Sequence, residues 1–210
     1  ILFEEAEALG LRLAAGKVLM DRNAPDGLRD GVQSGYDDSL ALIRKWHGRG
    51  RLLYAITPRF AGTSSPEQLA AAGALWRAHP DCLMQTHLAE TEAEVAWIKE
   101  LFPDRTSYLD VYDHHGLCGK RAVFGHGIWL GEEELKRLHA AEAAIAHCPT
   151  SNFFLGSGMF DIARAKHAHR PVRVGLGTDI GAGTSFSILQ TLNAAYKAAQ
   201  SQLRAARAQA

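Results

Sequence analysis

Cysteine is scarce in this chain, and Cys82, Cys118 and Cys148 stand far apart with no CxxC pair among them. That spacing excludes a thiolate zinc knuckle and a disulfide framework. It points to a reducing compartment in which the three serve as small buried hydrophobes. Neither sign of charge is in excess: 23 basic residues face 23 acidic ones, so no global field draws in nucleic acid or an anionic membrane. A small neutral molecule suits that balance better. There is no secretory leader and no run of about 18 apolar residues, so a soluble cytoplasmic protein is expected. The chain also lacks an initial Met. It opens inside the helical pattern Ile1-Leu2-Phe3-Glu4-Glu5-Ala6-Glu7-Ala8-Leu9 with no capping residue in front, which reads as the interior of a longer protein. Its 210 residues suffice for one sizeable core, and no shift in composition marks a second domain within 1–210.

Three apolar runs each end on a residue that can hold a divalent metal. They are Cys82-Leu83-Met84-Gln85-Thr86-His87, Ala122-Val123-Phe124-Gly125-His126, and Val172-Arg173-Val174-Gly175-Leu176-Gly177-Thr178-Asp179. In a (β/α)8 barrel, catalytic residues sit where short hydrophobic strands give way to their following loops. Two histidines and an aspartate at three such ends would converge on one point. Glu90 follows His87 by three residues, the place where a proton shuttle would serve a metal-activated water.

Six candidate strands alternate with helical patterns: Gly16 to Asp21, Leu52 to Phe60, Cys82 to His87, Ala122 to His126, Ala144 to His147 and Val172 to Asp179. Such alternation is the signature of a parallel sheet built from βαβ units. Ser65-Pro66-Glu67 opens one helix with proline in its first turn, and Thr91-Glu92-Ala93-Glu94 has capping-box spacing before another. Leu69, Ala72, Leu75 and Trp76 form one apolar face; Val95, Ile98 and Leu101 form a second. A helix from Asp38 to His47 turns Leu42, Ile43 and Trp46 inward, and one from Phe186 to about Arg204 turns Leu189, Leu192, Tyr196 and Leu203 inward. The tail Ala198 to Ala210 reads as a frayed helix end. A full eight-stranded barrel usually needs about 250 residues, so a partial barrel is the expected fold.

The segments Met84-Gln85-Thr86-His87-Leu88-Ala89-Glu90, Gly125-His126-Gly127 and Gly177-Thr178-Asp179 resemble the amidohydrolase superfamily. Thr57-Pro58-Arg59-Phe60, the run from Ala146 to Asn152 and the run from Asp179 to Ser187 are similar, in order and spacing, to its guanine deaminase branch. The resemblance covers nearly the whole chain. It implies a TIM-type barrel of which strands three to eight are present, with a His-x-His strand, the source of two further ligands, lying outside the chain. It also implies one zinc ion held by His87 and Asp179, with Glu90, His126 and Asp179 catalytic. Arg59 and Phe60 would meet a purine base together with His87, Glu90 and Asp179. The sequence does not fix the oligomeric state, and a homodimer is one assembly open to it. Hydrolysis of guanine to xanthine and ammonia is the implied reaction. Another deaminase or a triazine hydrolase of the same superfamily, and a truncated or non-catalytic barrel, stay open beside it.

The one His-x-His in the chain, His167-Ala168-His169, precedes a strand and sits among Lys166, Arg164 and Arg170. Those cations would repel a dication, so it is not read as a metal site. His47, His79, His114, His115 and His139 fall in helical or turn contexts and are expected at the surface. His147 ends a strand but is read as a residue that shapes the site rather than a ligand. The stretch Phe154-Leu155-Gly156-Ser157-Gly158-Met159 lacks the spacing of a nucleotide fingerprint and is given no role.

Overall fold

The computed structural model describes the backbone of residues 1–209 and the side chains of residues 1–204. The chain folds as two compact units, Ile1–Thr86 with Asp110–Ala122, and His87–Leu109 with the chain from Val123 onward.

In the first unit, α1 (Leu2–Ala8) precedes the short strands β1 (Leu13–Ala15) and β2 (Val18–Leu19). Next come α2 (Val32–Trp46), β3 (Leu52–Pro58) and α3 (Pro66–Ala78). Strand β4 (Leu83–Leu88) begins in this unit, where Leu83 and Met84 pair in parallel with Ala55 and Ile56 of β3. The strand expected over Gly16 to Asp21 is instead two pieces. Leu13–Ala15 pairs with Leu52–Tyr54 and Val18–Leu19 with Thr57–Pro58, in one unbroken register. The interruption falls at Gly16, where a Cβ would lie 1.7 Å from the Ala55 carbonyl oxygen. The backbone crosses too close to β3 there for any other residue, and ladder pairing lapses.

Helix α3 starts where its sequence says it should. Ser65 Oγ accepts the Gln68 N–H at 3.1 Å, with Pro66 at the first helical position, as caps require. Leu69, Ala72 and Leu75 are buried along its inner face. Helix α2 is longer than expected, beginning at Val32, and buries Gly35, Ser39, Ile43 and Trp46. The core of this unit centres on Leu52, Tyr54 and Ile56 of β3, with Leu75, Tyr112 and Leu117.

A polar contact is built into that core. The buried Ala61 N–H donates to Tyr112 Oη at 2.9 Å. The Tyr112 and Thr86 hydroxyls lie 3.1 Å apart, and Thr86 Oγ1 donates to the Arg59 carbonyl at 3.2 Å. This network pins the turn that follows β3. Replacing Tyr112 by Phe strands the Ala61 donor away from water, so Tyr112→Phe is expected to lower stability by about 1–3 kcal/mol. An unchanged urea midpoint would show that the network carries no net stability.

In the second unit, β5 (Ala122–His126), β6 (Ala144–His147) and β7 (Arg173–Leu176) pair in parallel, with Phe124 opposite Ile145 and His147 opposite Leu176. Around them lie α4 (Glu92–Leu101), α5 (Tyr108–His114, begun in this unit), α6 (Glu132–Ala140), α7 (Pro149–Phe154), α8 (Ile162–Ala165) and α9 (Ile188–Gln209). Thr91 Oγ1 accepts the Glu94 N–H at 3.1 Å, which forms half of the expected capping box. The Glu94 carboxylate accepts the Tyr108 hydroxyl at 2.6 Å. Burial holds the Glu94 carboxyl above its ordinary range.

Helix α9 inverts the expected orientation. Leu189, Leu192, Tyr196 and Leu203 are exposed, while Thr191 and Ala198 are buried. The two sets lie on opposite faces of a 3.6-residue helix. Small side chains at Thr191 and Ala198 let the helix approach its neighbours closely. The helix continues to Gln209, and the expected frayed end reaches Ala210, which lies outside the described residues.

Candidate functional site

Three backbone residues outside glycine with positive φ mark strand-to-loop junctions in the second unit: Ala89 at 49°, His126 at 66° and Asp179 at 48°. Left-handed backbone at a residue with a Cβ costs energy, and it persists where surrounding contacts fix it, commonly at functional sites. Here those contacts are backbone hydrogen bonds. Gly127 N–H donates to the Leu88 carbonyl at 2.8 Å, while the Ile128 and Trp129 N–H groups both donate to Ala89, at 3.0 and 3.1 Å. They lace the end of β4 to the end of β5, which sets Glu90 beside His126.

The Asp179 loop is held as tightly. Gly177 N–H donates to the His147 carbonyl at 2.9 Å. At Gly183 a Cβ would stand 1.8 Å from the Thr178 carbonyl oxygen. Only glycine lets the chain fold back over Thr178 and Asp179.

The structure brings most of the anticipated site residues together. His126 is buried, and its Nε2 lies 3.6 Å from Glu90 Oε2 and 4.0 Å from Asp179 Oδ2. The His87 ring stacks on the His126 ring with centroids 5.4 Å apart. Along β4 the burial alternates, so half-buried Leu83, Gln85 and His87 share one face and buried Met84, Thr86 and Leu88 the other. Two imidazoles and two carboxylates thus lie near one another, nitrogen and oxygen donors of the kind a dication takes, but no three of their donor atoms come within 4.8 Å of one another.

Arg59 and Phe60 belong to the first unit, immediately after β3. Arg59 is exposed, Phe60 half-buried, and the guanidinium carbon stands 5.7 Å from the Phe60 ring centre. The Arg59 N–H donates to the Leu19 carbonyl at 3.1 Å, which continues the pairing of β2 with β3 past the strand end.

His147 is buried against Phe160, with ring centroids 4.8 Å apart. Burial, with a further push from His126, lowers its pKa to about 4, so it stays neutral and adds no charge to the site. Cys148 is buried too, and burial with the nearby Asp179 carboxylate pushes its thiol up to about 12. That leaves Cys148 an inert small group. His167 and His169 are exposed, at the start of β7 and so at the opposite end of that strand from Asp179.

Two side chains here had no assigned role from the sequence. His126 Nδ1 lies 3.0 Å from Asn152 Oδ1, and Ser157 Oγ donates to Glu90 Oε1 at 2.9 Å. Asn152 lay inside a recognised segment and Ser157 in a Gly-Ser-Gly turn. Neither pattern says which side chain it will meet.

Among the described residues, one trio of possible ligands comes within 4.8 Å mutually: His47, Asp81 and Cys82, in the first unit. His47 is half-buried rather than at the surface as expected. Its Nδ1 accepts the Tyr54 N–H at 2.9 Å and its Nε2 lies 3.0 Å from Asp81 Oδ2. A neutral ring whose Nδ1 accepts must carry its proton on Nε2, so no lone pair is left for a metal. Burial also pushes the Cys82 thiol up to about 11. This is a hydrogen-bonded junction closing the end of α2.

A model of the amidohydrolase family matches residues 1–210. Guanine deaminase of Escherichia coli is 55% identical over 201 residues, which are 96% of this chain and 45% of that protein. Its solved structure superposes with a TM-score of 0.93, covering 96% of this chain and 46% of the other. A guanine deaminase of C. acetobutylicum, solved with guanine in its active site, is 31% identical with a TM-score of 0.92, covering 98% of this chain and 49% of the other. A triazine hydrolase at 24% identity shares the fold, with a TM-score of 0.77 over 86% of this chain and 40% of the other. The chain thus spans about half the length of the relatives it matches. Its parallel strands and intervening helices are those of a partial TIM-type barrel, and the chain belongs to the amidohydrolase family.

Proposed function

We propose that this chain supplies the acid–base half of a metal-dependent guanine deaminase, which converts guanine and water to xanthine and ammonia, with residues 1–210 acting as one barrel domain. The observation that carries this reading is His126 Nε2 standing between the Glu90 and Asp179 carboxylates, at 3.6 and 4.0 Å. The 55% identity to the E. coli guanine deaminase supports the choice of substrate.

His87 and Asp179 would hold the metal, read as one zinc ion. When bound, such an ion supplies the Lewis acidity that makes water nucleophilic near neutral pH. Asp179 and His126 take up the proton that water loses and stabilise the charge that develops on the attacked ring carbon's substituents. Glu90 protonates the ring nitrogen and then helps the amine depart by taking back the proton of the added hydroxyl, while the proton held at Asp179 and His126 passes to the amine, so that ammonia leaves and the ring keeps the oxygen from water. Arg59 presents a planar donor pair to the base's carbonyl oxygen and ring nitrogen, and Phe60 stacks on the purine face. His87 contacts the base beside the metal. The substrate is a small purine, with no nucleic acid or membrane partner, in a cytoplasmic protein that assembles as a homodimer.

The test is turnover of guanine by the intact protein, followed by the xanthine absorbance change and by ammonia release. Both should stop after treatment with a zinc chelator and return when zinc is restored. Guanine left unchanged by the zinc-loaded protein, with triazine or adenosine-type compounds turned over instead, would transfer the reading to another amidohydrolase.

A further inference from the structure

Four side chains of the second unit close a ring. Asn152 Oδ1 meets His126 Nδ1 at 3.0 Å, and His126 Nε2 faces Glu90 Oε2 at 3.6 Å. Glu90 Oε1 accepts the Ser157 hydroxyl at 2.9 Å, and the Ser157 N–H returns to the Asn152 carbonyl at 2.8 Å. The ring is anchored from outside by Trp129, whose Nε1–H donates to the Ser157 carbonyl at 2.9 Å. Asn152 and Ser157 are 1% and 3% exposed, so solvent cannot readily stand in for either.

We propose that the Asn152–Ser157 turn is a positioning clamp that fixes the His126 tautomer and selects Oε2 as the working oxygen of Glu90. An acceptor oxygen at Nδ1 requires the imidazole proton to sit there, which leaves the Nε2 lone pair on the side facing Glu90 and Asp179. On Glu90, the Ser157 hydroxyl occupies Oε1. A proton carried by that carboxyl is therefore held on Oε2, the oxygen turned toward His126. Both groups are oriented by one short segment, the six residues from Asn152 to Ser157, rather than by the strands that bear them.

An energetic oddity supports a functional reason for Asn152. Its Nδ2 is buried with no partner among the described residues. A buried amide with one end unsatisfied costs stability that an apolar residue of similar shape would not. Such a residue stays where its other end serves a purpose, here holding Nδ1–H.

The kinetic part of this inference rests on the deaminase reading, whereas the tautomer does not. In metal-free, nitrogen-15-labelled protein at alkaline pH, long-range proton–nitrogen spectra should show His126 protonated at Nδ1. Asn152→Leu should shift it toward the Nε2–H form without loss of thermal stability. In the zinc-loaded enzyme, Asn152→Leu and Ser157→Ala should each lower kcat for guanine by about tenfold or more with KM within about twofold, the mark of an interaction made in the transition state. Ser157→Thr, which keeps the hydroxyl, should recover most of that loss. A wild-type His126 protonated at Nε2 would overturn the proposal, because Asn152 would then present its amide hydrogens instead of its oxygen. So would variants whose kcat falls only in step with stability or zinc content. Should the protein prove inactive on guanine while His126 keeps its Nδ1 proton, the deaminase reading falls and the clamp stands.

Discussion

Glu90→Gln is expected to keep the metal content of the intact enzyme and to cut its turnover by about 100-fold or more, the scale of a positioned acid and base. Glutamine keeps the shape and can still accept the Ser157 hydroxyl hydrogen that Glu90 Oε1 now receives. It cannot carry a mobile proton. His87→Ala should behave differently, because it removes an imidazole from the donor set while leaving His126, Glu90 and Asp179 in place. Metal content should then fall together with activity. Parallel zinc analysis and steady-state rates on the two variants separate the roles. Equal loss of zinc in both would make Glu90 a ligand or a structural residue instead of the proton carrier.

The second large effect concerns the choice of base. Guanine has a carbonyl oxygen and an adjacent ring nitrogen that a guanidinium can meet together, and adenine lacks that oxygen. If Arg59 is desolvated against the substrate, a base without the partner leaves its donors unpaired, and discrimination of about 10⁴-fold is within reach. The free chain shows Arg59 exposed and over the Phe60 ring, where an aromatic face and a planar donor are offered side by side. Arg59→Ala should erode the guanine preference while zinc content stays unchanged, since His87 lies on β4 and Asp179 in the loop after β7. Selectivity measured with both bases on both proteins decides it: an unaltered ratio in the variant removes Arg59 from recognition. Rapid adenine turnover by the unaltered enzyme would favour a different deaminase.

The strand-end residues were legible because a buried parallel strand is a short apolar run, and the polar residue that closes it is conspicuous. His126 follows that rule as the last residue of β5, whereas His87 stands one residue inside the end of β4 and Asp179 comes three residues after β7, in the loop. The clamp was not legible in the same way. Asn152 meets a residue 26 positions away and Ser157 one 67 positions away, and no local pattern encodes such distances. Helix α9 shows a different limit. Periodicity put Leu189, Leu192, Tyr196 and Leu203 on one stripe, correctly, but it cannot say which stripe faces inward when the opposite one carries small residues such as Thr191 and Ala198. The break at Gly16 depends on a backbone approach to Ala55 that exists only once β1, β2 and β3 are aligned. His47 looked like a surface residue at a helix end. It is instead drawn in by the Tyr54 N–H and Asp81, both supplied by later parts of the chain.

The most direct measurement of the central claim is anomalous diffraction at the zinc edge from crystals of the intact protein grown with guanine or a close analogue. One zinc peak bonded by His87 and Asp179 is expected, with the Glu90 carboxyl against a ring nitrogen of the base. A zinc peak at His47, Asp81 and Cys82 instead, or a base bound away from Glu90 with no metal at His87, would contradict it.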